Sequence, residues 1–461
     1  MDNVLLIDFG STYTKVTAVD INSERILGTA RACTTSKTDI NEGLNNALAD
    51  LEGNIGKIEY NSKFACSSAA GGLKMVVIGI VPELTVEAAK LTALSAGAKV
   101  IGVYSYELTD DEANEIANLK PDIVLLTGGT DGGNKNIILH NAEILASIES
   151  DFPVVVAGNK SVASKVAEIL KSAGKEVRVC QNVMPEFNKL NIEPARQTIR
   201  DIFLQRIIRA KGLTKVQNII EGILMPTPSA VLKAVQILST GYGTEKGLGD
   251  LMAIDVGGAT TDVYSISDGL PSRSGVIIKG LPEPFAKRTV EGDLGVRYSA
   301  DFIVEEAGVK MVCQASGLTL EEVQSYLNKI RSNPGILPND DNKIGMLDLG
   351  LAKIVVKEAV KRHTGVIETS YTPMGKIFIQ KGKDLTGIRK VIGTGGPVIN
   401  SLYPGEIMKG VLFDEREPEI LRPINADFFI DRKYILSAMG LLSEKYPEIA
   451  VRIMKRELEM V

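Results

Sequence analysis

Ile254-Asp-Val-Gly-Gly-Ala-Thr-Thr-Asp-Val263 repeats a stretch found 247 residues upstream, Ile7-Asp-Phe-Gly-Ser-Thr-Tyr-Thr-Lys-Val16. Ile, Asp, Gly, Thr and Val coincide at five of the ten aligned positions. Each copy closes an apolar run with an aspartate, turns through glycine and resumes as a strand. The intervening turn is too short for a parallel crossover, so each copy reads as a β-hairpin. An offset of this length is not a solenoid period. It points to two related halves in one chain.

The residue types give each hairpin a purpose. Asp8 and Asp255 end buried strands, where an isolated carboxylate is costly and calls for a cation, a metal-bound water or a hydrogen-bond donor. Gly10, Gly257 and Gly258 allow unusual φ values and let backbone N–H groups approach an anion. Ser11, Thr12, Thr260 and Thr261 add hydroxyls. Two such loops facing each other would clamp a phosphate chain, with Asp8 and Asp255 holding hydrated Mg²⁺. A single copy is equally well read as a plain hairpin with a glycine turn; the match between two copies weighs against that reading. The copies are unequal, because Lys15 stands where the second carries Asp262. Lys15 would reach a β- or γ-phosphate as a point charge. The first hairpin is therefore expected to contact phosphate directly, and the second to serve the metal and the γ-phosphate end.

Outward from the hairpins, the first strands are predicted at Val4–Phe9 and Thr14–Asp20, and a helix over 41–53. Apolar runs at Met75–Ile80, Val100–Tyr104, Ile123–Thr127, Val154–Ala157 and Val177–Cys180 alternate with helical patterns at Val86–Ala96, Asp110–Asn118, Ile137–Ser150 and Lys160–Ala173. This alternation predicts βαβ units and a mainly parallel, doubly wound sheet. Residues 192–240 read as mostly helical with a break at Met225-Pro-Thr-Pro228. Gly241–Gly249, with four glycines in nine residues, reads as a flexible loop and domain hinge. A hairpin over Leu251–Ser267, helices around 297–333 and 345–363, a strand–turn–helix at Arg389–Leu402 and a helical 432–460 complete the chain. The expected divisions are 1–60 as the first part of domain I, 61–190 as an inserted α/β subdomain, 191–249 as a helical connector and hinge completing domain I, and 250–461 as domain II.

Bulk composition narrows the function. The 461 residues carry 44% hydrophobic and 24% charged side chains, an ordinary globular balance. A net charge of −5 offers no footprint for nucleic acid or anionic lipid, and the lack of tryptophan argues against a base-stacking platform. Two histidines, His140 and His363, leave little room for a multi-histidine metal site or a Ser-His-Asp triad. Cys33, Cys66, Cys180 and Cys313 show no metal-ligand or redox spacing and are expected to be small buried hydrophobes. No signal peptide or membrane span is apparent, so a cytoplasmic protein is expected.

The two hairpins resemble the first and second phosphate loops of the actin/Hsp70/sugar-kinase superfamily. Val391-Ile-Gly-Thr-Gly-Gly-Pro-Val398 resembles its adenosine motif, through Gly393, Gly395 and Gly396, and the three stand in the family order. Ala259 departs from the third glycine that many members carry. The resemblance implies an α/β, actin-like ATPase fold of two ribonuclease-H-like halves around a nucleotide cleft, with ATP and Mg²⁺ as cofactors. In that superfamily an acidic or amide side chain orients the attacking group; Glu221 and Asp8 are the candidates here.

A narrower resemblance covers most of the chain. The hairpins, Thr127-Gly-Gly-Thr-Asp-Gly-Gly133, Met225-Pro-Thr-Pro228 and Thr289-Val-Glu-Gly-Asp-Leu-Gly-Val-Arg297 are similar to the glutamate mutase accessory, or reactivating, proteins. This implies an ATPase chaperone that reactivates an adenosylcobalamin-dependent mutase by cofactor exchange, with the mutase subunits as partners and a homodimer as one open assembly. A small-molecule kinase and a filament-forming actin relative remain alternatives on the same fold. Direct cobalamin ligation by the inserted subdomain is disfavoured, since Asp-x-His-x-x-Gly is absent.

Three further groups have two readings each. The loop Thr127–Gly133 follows a predicted parallel strand, where α/β sheets bind ligands; Asp131 in it is also explained by a tight Asx turn. Lys287, Arg288, Glu291, Asp293 and Arg297 would meet or report nucleotide, or form a solvated salt-bridge set. His363, at a helix end beside Gly365, is explained by a cation's preference for a helix C-terminus.

Overall fold

Seven consecutive buried residues, Asn3–Phe9, form β1, as expected for a strand covered on both faces. The structure, a computed structural model, describes residues 2–35, 40–68, 73–210, 223–336, 341–373 and 375–461. The chain separates into two units. One comprises Met1–Ala234, Gly280–Pro284 and Ser437–Ile453; the other comprises Val235–Lys279, Phe285–Leu436 and Met454–Val461.

In the first unit β1 is followed by β2 (Tyr13–Asp20), β3 (Arg25–Cys33) and β4 (Ser62–Ser67). The inserted strands come next: β5 (Leu73–Gly79), β6 (Ala98–Ser105), β7 (Ile123–Leu126), β8 (Val154–Val156) and β9 (Val177–Val179). The chain then returns as β10 (Ile223–Pro226). One sheet has the order β10-β4-β1-β2-β3. Its β1–β2–β3 meander is antiparallel, while β4 and β10 run parallel to β1. The insert forms a separate all-parallel sheet, β6-β5-β7-β8-β9. Helices Glu87–Ser95, Asp110–Leu119, Asn136–Ser147 and Ala163–Ser172 alternate with its strands, which is the doubly wound arrangement expected from the pattern. Thr109 starts Asp110–Leu119 through a capping box with Glu112. The insert does not stand apart from the first sheet. Met75 and Val77 of β5 belong to the same buried cluster as Leu5, Ile7 and Phe9 of β1, together with Ile199 and Phe203 of helix Glu193–Ala210.

The second unit repeats the first sheet. After β11 (Gly241–Tyr242) and β12 (Glu245–Lys246) come β13 (Leu251–Val256), β14 (Thr261–Ile266), β15 (Val276–Ile278), β16 (Ala286–Glu291), β17 (Val366–Thr372), β18 (Gly375–Lys381), β19 (Lys390–Thr394), β20 (Asp427–Ile430) and β21 (Glu459–Met460). The main sheet is β16-β14-β13-β19-β20-β21. Again a three-strand antiparallel meander begins at the duplicated hairpin, and two later strands lie parallel to its first strand. The internal repeat is thus one of topology as well as sequence: two ribonuclease-H-like halves. Helix Asn342–His363 covers the second sheet with Ile344, Leu347, Leu351, Val355 and Ala359, spaced at helical intervals and all buried.

Three expectations are corrected. The reading of 192–240 as mostly helical misses β10, which pairs with β4 and runs directly into helix Thr227–Thr240. Gly241–Gly249 is not a flexible loop: it holds the tight β11–β12 hairpin, with Gly247 pressed against the Ser239 carbonyl. The C-terminal region also breaks into helices Leu436–Leu442 and Pro447–Glu457 before β21.

Candidate functional site

Asp8 is the penultimate residue of β1 and is only 3% exposed. Register places Lys15 opposite it on β2 and Cys66 opposite it on β4. Four side chains donate to its carboxylate. Thr227 Oγ1 lies 2.6 Å from Oδ1 and Cys66 Sγ 3.5 Å from the same oxygen. Ser437 Oγ lies 3.1 Å from Oδ2, and Lys15 Nζ 3.5 Å from it. The Cys66 thiol keeps its proton for this bond, because burial and then the Asp8 charge push its pKa well up. Gly10 closes the turn by donating to the Tyr13 carbonyl at 3.1 Å, and a Cβ on Gly10 would stand 2.6 Å from that oxygen. Thr34 ties the carbonyl of Gly10 from β3's side at 2.9 Å. Ser11 and Thr12 lie exposed at the tip of the loop.

The second hairpin has the same frame with different chemistry. Asp255 is partly exposed and receives the Tyr434 hydroxyl at 3.4 Å. Asp262, which faces Asp255 in register, is held by the buried Arg288 at 2.7 Å. The turn closes through Gly257 N–H to the Thr260 carbonyl at 2.9 Å. The segment after β16 braces this loop. Arg297 and Tyr298 N–H groups donate to the Gly258 carbonyl, both at 2.9 Å, and Thr261 Oγ1 donates to the Leu294 carbonyl at 2.6 Å. Arg297 is locked by both oxygens of Asp348, with one bond of 2.6 Å. Burial raises the Asp348 pKa, and Arg297 opposes that rise.

The Gly393–Gly396 motif runs from β19 into helix Gly396–Ile399, as its pattern predicts. Thr394 lies beside Asp255 in register. Gly395 has φ +92°, and its missing Cβ lets the chain touch the Val256 carbonyl. Thr394 Oγ1 donates to Asp431 at 3.3 Å, and Asp431 in turn caps the amides of Ile435 and Leu436 at 2.8 and 3.1 Å.

Glu221 lies outside the described residues. Each of the five charged residues around 287–297 reaches a partner outside the group. Lys287 donates to the His363 carbonyl, Arg288 goes to Asp262, Arg297 goes to Asp348, and Glu291 and Asp293 share Arg362. In the Thr127–Gly133 loop, Asp131 accepts the Lys160 N–H and the Asn182 amide, each at 3.0 Å. Asn159 bonds Gly132 N–H and the Gly133 and Asn134 carbonyls. Ile80 fills the space beside Gly128, so the structure explains this loop as an internally tied turn. His363 is not a helix-end cation: burial, then Lys287 and Lys383, hold its pKa well below the usual value. Of the cysteines, only Cys66 is buried, and its contact is polar; Cys33 is exposed and Cys180 and Cys313 are partly so. Sequence reasoning missed Cys66, Thr227, Ser437 and Tyr434 as neighbours of the two aspartates.

Among the described residues no group of three or more His, Cys, Asp or Glu gathers to hold a metal. Mg²⁺ keeps several waters and takes only one or two carboxylates beside substrate phosphates, so this finding does not oppose it. Asp255, partly exposed beside Gly257 and Gly258, fits such a role. Asp8, with both oxygens already receiving protein donors, fits it poorly.

Two ribonuclease-H-like halves, each opening on an Asp-x-Gly hairpin and the second carrying the glycine turn after β19, define the actin/Hsp70/sugar-kinase fold. Within that class the chain belongs to the MutL protein family, the glutamate mutase accessory proteins, whose family model matches residues 4–458. It is 52% identical over 463 residues to Protein MutL from Clostridium tetanomorphum, with 100% of both chains covered. Among solved structures it is similar to the activator of the 2-hydroxyisocaproyl-CoA dehydratase from Clostridium difficile with bound ADPNP, at 10% identity and a TM-score of 0.33, covering 100% of this chain and 99% of that one. It is also similar to gluconate kinase from Lactobacillus acidophilus, at 9% identity and a TM-score of 0.37, covering 100% and 92%.

Proposed function

We propose that this glutamate mutase accessory protein binds and hydrolyses ATP with Mg²⁺ and uses the cycle to reactivate an adenosylcobalamin-dependent mutase by cofactor exchange. The observation that carries the reading is the duplicated hairpin in a duplicated sheet, in a chain of this family. Gly10, Ser11, Thr12 and Lys15 supply donors and a cation to phosphate. Gly257, Gly258, Thr260 and Thr261 form the second phosphate loop, Asp255 serves the metal, and Gly393, Gly395 and Gly396 receive the adenosine. Mg²⁺, when bound, neutralises phosphate charge. Among the described residues no helix is long and apolar enough to cross a membrane.

Inactivated mutase, incubated with this protein, ATP, Mg²⁺ and fresh adenosylcobalamin, should recover activity. It should not recover when ATP is omitted or the accessory protein is left out. Equal recovery in all three mixtures would refute the reading.

A further inference from the structure

The second unit carries a charged hollow that none of the glycine motifs uses. It lies where the chain approaches β20. There the Leu421 carbonyl accepts the Leu385 N–H at 3.0 Å, just ahead of β19, and Asp427 pairs with Lys390 where β20 and β19 begin. β13 runs parallel to β19 and ends at the turn closed by Gly257 and Thr260. The hollow therefore sits at the opposite end of this sheet from that turn.

Its volume is about 630 Å³, within the range of small-molecule sites. Its wall includes four cations, Lys357, Lys409, Arg416 and Arg422, against two carboxylates, Asp414 and Glu415. The neighbouring charges do not remove that excess of two. Glu417 is matched by Lys361, and Glu406, which takes Lys409 at 2.5 Å, is matched by Lys353 at 3.8 Å. Asp414 is shared by Lys357 at 2.6 Å and by Nε and Nη2 of Arg416 at 3.0 and 2.9 Å. Arg416, and then Lys357, hold its carboxyl well below the usual carboxylate range.

Arg422 differs from the other three cations. Its side chain is 1% exposed, and Nη2 donates to Glu417 at 3.1 Å. Its Nε–H is also buried and meets no acceptor among the described residues. A guanidinium offers five donors, and a buried donor left unmade is costly. An oxyanion seated against Arg422 would supply the missing acceptor and neutralise the excess charge at once. Phe413, 38% exposed on the same wall, adds an apolar side.

We propose that this hollow is a phosphate-binding site, taking the free ion or a phosphate ester. Arg422 and Arg416 direct N–H groups at the phosphate oxygens, while Lys357 and Lys409 add point charges. The site stands apart from the nucleotide reading, since none of these residues belongs to the glycine motifs.

The chain has no tryptophan, so Phe413→Trp places a single tryptophan reporter in the hollow. Titrating inorganic phosphate and phenyl phosphate into this full-length variant should change its emission saturably. Sodium chloride at matched ionic strength should not. Tighter saturation by phenyl phosphate would identify an ester as the ligand, and tighter saturation by inorganic phosphate the free ion. Arg422→Gln in the same background should abolish the response. That change also strips a partner from Glu417, so a second variant uses exposed side chains. Arg416 and Lys409 are 82% and 62% exposed, and Arg416→Gln combined with Lys409→Gln should weaken binding about tenfold through lost charged hydrogen bonds. Phosphorus NMR line broadening of the same ligands on the chain without the tryptophan should fall in parallel. A chloride response equal to that of phosphate, or binding unchanged in the double variant, would overturn the assignment.

Discussion

Arg297 lays its aliphatic stem near Gly258 and gives its guanidinium to Asp348, whose side chain is 5% exposed. Arg297→Ala would leave that carboxylate buried without its partner, a loss of about 3–5 kcal/mol at neutral pH. Burial already raises the Asp348 pKa, and loss of the arginine would raise it further. The native state would then hold a proton that the unfolded chain releases. The variant should therefore regain stability as pH falls from 7 to 5, which urea midpoints at the two pH values would show. His363 has the opposite sign. Its pKa is depressed, so its contribution is full above the unfolded value near 6.5 and is lost as pH falls below it, by at most about 1.4 kcal/mol per unit. His363→Gln should flatten the stability profile between pH 6.5 and 5; an unchanged slope would assign it to other groups. At this scale the sequence exposed one kind of residue and hid another. Asp8 and Asp255 were legible because each ends an apolar run beside glycine. Thr227 and Ser437 were not, since they lie 219 and 429 positions from Asp8 and only folding brings them to it.

Elements were easiest to read where burial is two-sided or periodic. The insert's strands and helices agree with the sequence pattern to within a few residues, because continuous apolar runs alternate with amphipathic ones. Gly241–Gly249 failed for a physical reason: glycine density signals freedom only when nothing packs against the backbone. Here Gly241 takes φ +76° in a closed hairpin, and Gly247 leaves no room for a side chain. Gly440 is a similar case within helix Leu436–Leu442, where a Cβ would collide with the Ala230 carbonyl of helix Thr227–Thr240. Gly440→Ala should destabilise this contact by about 1–3 kcal/mol through overpacking. Thermal unfolding should then start several degrees lower, whereas an unchanged or higher midpoint would show that the two helices can separate at no cost.

For the whole chain, the duplicated sheet was legible from ten residues in each copy, and the second meander from very little else. The insert was visible as a doubly wound block, but its attachment was not, because no local pattern states which strands share a core. Met75 of the insert is fully buried in the same cluster as Leu5 and Ile7 of β1. Met75→Ala should cost about 2–5 kcal/mol. Amides of β1 as well as β5 should then exchange faster in hydrogen–deuterium exchange; an effect confined to the insert would show two independent cores.

That shared core has an evolutionary consequence. A block of sequence with its own sheet looks like a cassette that recombination could trade between lineages. Here the side chains under β5 are also the floor of β1, so a transplanted 73–183 would meet a surface shaped for a different occupant. Substitutions on one side must be answered on the other. The insert and the strand that carries Asp8 are therefore expected to descend together, and their histories to agree residue by residue along the contact.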